Sequence, residues 1–225
     1  MLARNVFHAF AGSAVLMSAL GVIAAPHAVA DRGCGPDGGP PPDAVSKDVS
    51  AVYGQPATLW LSATKVGIQT PQGYSAAAVQ SPSPLPRSAM MIDAQQEGAH
   101  QVIVDTGREA ILYVVSGCTI APAVDGQGLS FRFDIGHRRD VGDGIGCSDL
   151  GDGRHLVQLL QLRDDQRNPL LVVRRTEIDL NGPLATIGRS DTVTAASEQD
   201  PAWTTAAGIS CGDLTMAGDG IEAPY

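Results

Sequence analysis

From residue 57 onward, the apolar residues of this chain recur with a period of two or in short aliphatic runs cut by Gly, Pro, Asn and Asp. Nowhere do they show a capped helical period, so the pattern predicts an all-β domain. Residues 57–62 (ATLWLS) alternate as a strand does, with Trp60 as a core anchor. Residues 101–104 and 110–115 are β-branched and aliphatic runs separated by Asp105-Thr106-Gly107, the composition of a hairpin turn. Residues 129–135 (LSFRFDI) place Leu129, Phe131, Phe133 and Ile135 on one face. Residues 155–162 and 170–173 flank a polar turn at 163–168. Residues 176–180 run into Asn181-Gly182, a two-residue hairpin signal, with return strands at 184–187 and 191–195.

The chain also repeats itself. Gly144-Ile145-Gly146-Cys147-Ser148-Asp149-Leu150 returns 64 residues later as Gly208-Ile209-Ser210-Cys211-Gly212-Asp213-Leu214. Each copy is followed by an Asp-Gly pair, Asp152-Gly153 and Asp219-Gly220, and a similar start at Ile92-Asp93 precedes Glu97-Gly98. Each unit is expected to lead from an acidic, Gly-containing loop into several strands, giving antiparallel sheets in propeller-like repeats. The alternative is a single β-sandwich containing two similar turns.

The stretch Asp149-Leu150-Gly151-Asp152-Gly153-Arg154-His155-Leu156-Val157 resembles the opening of an integrin-like FG-GAP or VCBS repeat, an Asp/Gly-rich loop feeding a Val-rich strand. Residues 93–104 look like a degenerate copy. Residues 90–221 as a whole are similar to exported actinobacterial proteins that carry such repeats. The resemblance implies propeller-type blades and a loop that holds Ca²⁺ through alternating carboxylates, which makes Asp149 and Asp152 the candidate metal ligands. Gly151 stands where the middle carboxylate would be, and Gln95 takes the equivalent place after Asp93. The other reading of these Asp-Gly pairs is that they serve turns requiring positive φ.

The N-terminus has the layout of a secretory leader: Arg4, an uncharged stretch over 5–30, and Ala28-Val29-Ala30 as a cleavage site. Three segments follow, a signal peptide (1–30), a Gly/Pro-rich N-terminal segment (31–56) and a β-repeat domain (57–225). Arg4 is the one charged residue among the first 30, so the remainder carries 14 basic against 24 acidic side chains, a formal net charge of −10. That acidity argues against nucleic acid, which demands a basic patch. No membrane span is expected once the leader is removed. All four cysteines lie beyond it, and an even number in an exported chain reads as two disulfides. Of the three pairings, the favoured one is Cys118–Cys147, closing a local loop, with Cys34–Cys211 tying the N-terminal segment to the C-terminal one.

Catalytic motifs are sparse. Residues 208–212 match G-x-S-x-G, but no His follows residue 155 and no helix is expected after Gly212, as a nucleophile elbow requires. His100, His137 and His155 are widely spaced, without the H-x-H or H-x-x-x-H pattern of a local metal site. The pairs Arg138-Arg139 and Arg174-Arg175 each have acids close by, Asp140 and Glu177, and read as charge balance. No residue is assigned a catalytic role and no cofactor beyond a possible Ca²⁺ is expected. The sequence thus points to a secreted, non-catalytic binding or cell-envelope interaction protein, its partner an unknown extracellular or cell-wall ligand. Two alternatives stand beside it: an extracellular hydrolase with a site assembled from His155, Asp149 and Asp152, and a structural envelope protein.

Overall fold

A computed structural model describes residues 34–35, 39–52, 54–135 and 142–223. The expected leader, His137 and the Arg138-Arg139 pair lie outside the described residues.

The protein is all-β, built of antiparallel sheets that do not close into a barrel. Three four-stranded meanders follow one another along the chain. The first comprises β1 (Val45–Val52), β2 (Gln55–Leu61), β3 (Lys65–Thr70) and β4 (Gly73–Ala78). The second comprises β5 (Ser88–Ile92), β6 (Gln101–Asp105), β7 (Glu109–Ser116) and β8 (Thr119–Pro122), with the short β9 (Arg132–Asp134) paired to β7. The third comprises β10 (Asp143–Asp149), β11 (Arg154–Arg163), β12 (Pro169–Asn181) and β13 (Leu184–Thr194). A C-terminal segment then carries α1 (Pro201–Thr204), a 3₁₀ turn (Thr205–Ala207), the β14 (Ser210–Cys211)/β15 (Leu214–Thr215) pair, α2 (Met216–Asp219) and β16 (Ile221–Glu222). β16 returns to pair with β5.

The second sheet is the middle layer, and this explains its unbroken aliphatic runs. Val102, Val104, Ile111, Tyr113 and Val115 pack in one core with Leu59, Leu61, Val66 and Ile68 of the first sheet. The alternate residues Met90, Ile92, Ile103 and Leu112 pack in a second core with Phe133, Ile145, Leu156 and Ile178. A strand buried on both faces has no polar side to present and so loses the two-residue alternation. A third, smaller core joins Val157, Leu159 and Val173 on the outer face of the third sheet to Trp203 and Ala206 of the C-terminal segment. Each fully buried Leu, Ile or Phe in these layers contributes about 1.5–3 kcal/mol.

Two turns follow the local sequence signals. β6 and β7 form a hairpin around Gly107 at φ +84°, and β12 and β13 one around Gly182 at φ +57°. Other expectations need correction. The segments 170–173 and 176–180 are one strand, as are 184–187 and 191–195, because the register shift near Thr176 and Ile178 bends the ladder without breaking it. Leu129 does not join Phe131, Phe133 and Ile135 in the core. It is 62 % exposed, at the end of a turn whose Asp125 carboxylate accepts the amides of Gln127 and Leu129. Residues 45–52, within the segment read as Gly/Pro-rich, form a strand paired to β2.

The favoured disulfide pairing is also overturned. Cys34 is bridged to Cys118, and Cys147 to Cys211. Cys118 belongs to the β7–β8 turn, and Cys34 reaches it alongside Gly73 of the first sheet. Cys147 is on β10 of the third sheet, away from that turn in the sheet order, so shortness of the intervening loop was the wrong guide.

Tyr113 provides a pH probe of the packing between the first two sheets. Its hydroxyl donates to the Ala78 carbonyl at 2.9 Å. Burial pushes the phenol up to about 12, with Arg132 and Arg87 opposing weakly. A phenol that titrates later in the folded than in the unfolded chain stabilises below pH about 10, and this contribution is lost as pH rises toward about 12. Urea titrations over this window should show stability falling by about 2–3 kcal/mol. Tyr113→Phe should flatten that loss, and an unchanged slope would remove Tyr113 as its source.

Candidate functional site

Strand alternation places His155 on β11, Arg175 and Glu177 on β12, and Arg189 and Asp191 on β13 on the outer face of the third sheet. Near the C-terminal segment this face is apolar. Further along it becomes a lattice of charge. Arg175 grips the Asp191 carboxylate through Nε at 2.8 Å and through Nη2, and its Nη1 donates to Ser148. The Arg175 hydrogen bonds to Asp191 hold its carboxyl below the usual carboxylate range.

Beyond this pair, Arg189 donates from Nε to Glu177 Oε2 at 3.0 Å and from Nη2 to Asp152 Oδ1. The same Asp152 oxygen lies 3.4 Å from His155 Nε2. One ligand atom each from Asp152, His155 and Glu177 falls within 4.8 Å of the other two. Glu177 has only 4 % of its side chain exposed, and its Oε1 has no hydrogen-bond partner.

The structure brings Asp152 and His155 together, two of the three residues that the hydrolase alternative required to converge, and adds Glu177 and Arg189. Asp149 is placed differently. Its Oδ1 accepts the amides of Gly151 at 2.6 Å and Gly153 at 3.1 Å, and these amides hold its carboxyl low. Gly153 takes φ +120°, as the turn reading of the Asp-Gly pair expects, whereas Gly220 has φ −72°. Two carboxylates, one engaged by amides and the other by a guanidinium, fit calcium poorly, since it takes six to eight oxygens. Arg175 and Glu177 are not each other's partners either: Asp191 neutralises the first and Arg189 the second.

Glu177 and Arg189 carried one legible signal. In RRTEIDL a carboxylate shares its face with Val173, a core position of the same strand. Nothing local indicated its partner, which lies on the next strand.

A cleft of about 550 Å³ opens between the C-terminal segment and the second and third sheets. Ile135, Ile209, Met216 and Ile221 give it apolar walls, Ser88, Thr204, Thr205, Ser210 and Thr215 hydroxyls, and Asp105, Asp143 and Glu222 carboxylates. Ser210, the serine of the G-x-S-x-G match, lies here on β14, and the chain turns directly into β15, so no helix starts at the serine as a nucleophile elbow requires; the short α2, which the sequence did not predict, begins only at Met216. Its neighbour Cys211 is the one bridged to Cys147.

The repeated heptads meet in space. Ile145 and Ile209 form a parallel bridge, the Ile145 amide donates to the Gly208 carbonyl at 2.9 Å, and the disulfide joins the two cysteines. The first copy, expected as a loop, is strand β10, paired with β11 from Asp143↔Leu160 to Asp149↔Arg154.

These features define an all-β, two-disulfide protein with an open cleft and a charged sheet face; among the described residues no helix is long and apolar enough to cross a membrane. No family model matches the chain, and no curated protein or solved structure matches it.

Proposed function

We propose that the protein is secreted and acts as a non-catalytic binding module of the cell envelope, its ligand seated in the cleft beneath the C-terminal segment. The observation that carries this reading is the cleft itself: about 550 Å³, in the range of ligand sites, with apolar walls and convergent hydroxyls and carboxylates. The Cys147–Cys211 bridge ties β14, which brings Ser210 to the lining, to β10. Such a lining suits a ligand rich in hydroxyl and amino groups, as cell-wall polymers are. The displaced carboxylates elsewhere, Asp149, Asp164, Asp191 and Asp200, are all moved downward by turn amides, an asparagine side chain or an arginine. A general acid would need the opposite shift.

Two further features support a repeat origin of the FG-GAP/VCBS kind: the three successive meanders each have the four strands of a propeller blade, and the heptads recur in the third meander and the C-terminal segment.

The test is retention of the purified protein on isolated cell-wall fragments. Wild type should be retained and Ala207→Trp, which fills the cleft from an exposed position, should lose about tenfold in affinity with an unchanged thermal midpoint. Equal retention of the two would place binding elsewhere, and no retention of wild type would end the envelope reading. The hydrolase reading draws on the Asp152–His155 approach of 3.4 Å. Ester, glycoside or peptide turnover abolished by His155→Ala would replace the binding reading with it.

A further inference from the structure

The charged face of the third sheet holds an anomaly that its ion pairs do not resolve. Glu177 is buried to 4 % side-chain exposure, yet only one of its oxygens is used. A buried carboxylate oxygen without a donor or cation is costly, and natural interiors seldom leave one so. Beside it are a second carboxylate and an imidazole, all three offering ligand atoms within 4.8 Å of one another.

We propose that Asp152, His155 and Glu177 form a zinc site, with Arg189 as the resident cation that zinc displaces. The donor chemistry selects the metal. One imidazole with two carboxylates is a zinc donor set, with water completing four-coordination, whereas calcium takes oxygen ligands in greater number. The 3.4 Å between His155 Nε2 and Asp152 Oδ1 is the edge of a tetrahedron with bonds of about 2.1 Å. The spread to 4.8 Å must contract, and the freedom to do so is local. Asp152 is an exposed turn residue, with 55 % of its side chain accessible. Glu177 and His155 are held by adjacent strands of one sheet, Val157 facing Glu177 in the ladder.

Arg189 explains how the site holds together without metal. Its guanidinium bridges Asp152 and Glu177 from a side chain 43 % exposed, so it can swing to water when a divalent ion takes its place. Two carboxylates against one guanidinium leave a local excess of negative charge that a divalent ion removes. This site would exist whether or not the cleft binds a cell-wall ligand.

Isothermal titration of the chelator-stripped, disulfide-intact protein with ZnCl₂, repeated with CaCl₂, tests it. One zinc per chain is expected, weakened about tenfold or more in His155→Ala and Glu177→Gln and tightened about tenfold in Arg189→Gln, which removes the competing guanidinium. Zinc-edge absorption should show one imidazole among oxygen ligands. Far-UV circular dichroism checks that each variant folds; the tightening in Arg189→Gln keeps the test open if Glu177→Gln does not. Absence of zinc binding by the wild type would overturn the proposal. So would a folded Arg189→Gln that binds zinc no tighter, or calcium binding of equal strength abolished by Asp149→Asn.

Discussion

Replacing both Cys147 and Cys211 with alanine is expected to lower the folding free energy by about 4 kcal/mol and the thermal midpoint by about 8–16 °C. The bridge closes a loop of 64 residues, and a cross-link of that span removes much conformational freedom from the unfolded chain. It also holds β14 against β10, where few other interactions do so: the parallel bridge of Ile145 with Ile209 and the amide of Ile145 on Gly208. Arg154 donates from Nη2 to Cys211 Sγ at 3.1 Å, so the sulfur lies beside a cation as well as within the core. Differential scanning calorimetry of the double variant measures the loss. A thiol assay should find no free sulfhydryl, because Cys34 and Cys118 retain their own bridge. Recovery of a Cys118–Cys147 peptide from a non-reducing digest of the wild type would falsify the pairing, and a change in midpoint of only a degree or two would mean that β14 is held by packing alone.

The second large effect is an asymmetry within the repeat. Gly144 and Gly208 open the two heptads and are equivalent by sequence, yet Gly144→Ala is expected to be severely destabilising and Gly208→Ala nearly neutral. A Cβ at Gly144 would meet the Gly208 carbonyl oxygen at 2.4 Å and the Ala206 carbonyl oxygen at 2.6 Å. Both obstacles are backbone, so neither can rotate away, and relief requires the C-terminal segment to move off β10. Overpacking of this kind costs about 1–3 kcal/mol, sometimes more. At Gly208 a Cβ meets nothing within 4 Å and the backbone is already extended, with φ −145°. Chemical denaturation of the two single variants compares them directly. Equal losses would mean that the close approach between the copies is not what holds the segment. Loss of wall-fragment retention in Gly144→Ala but not in Gly208→Ala would tie the seating of that segment to the cleft beneath it.

Sequence determined the features that depend on neighbours along the chain. Asp105-Thr106-Gly107 and Asn181-Gly182 turn two hairpins because positive φ is needed there and glycine supplies it. The apolar residues of 155–162 and the β-branched and aliphatic runs at 101–104 and 110–115 mark strands β11, β6 and β7, since such side chains pack well on a pleated surface. What escaped were strands with no such signature. β4, Gly73–Ala78, is mostly small or polar and is strand because β3 pairs with its full length. The glycines of β10 give it the composition of a loop; Gly144 is required because the C-terminal segment packs backbone to backbone against it, and Gly146 because the Leu159 side chain crosses it.

Tertiary structure alone decided which cysteines meet, that the two heptads are partners lying side by side, and that Asp152, His155, Glu177 and Arg189 share one surface. Each of these is a distance between residues brought together by the stacking and register of sheets. Local conformational preference sets the period of a strand but carries no information about which strand will lie beside it, and the free energy that chooses comes from burying both faces of the middle sheet at once.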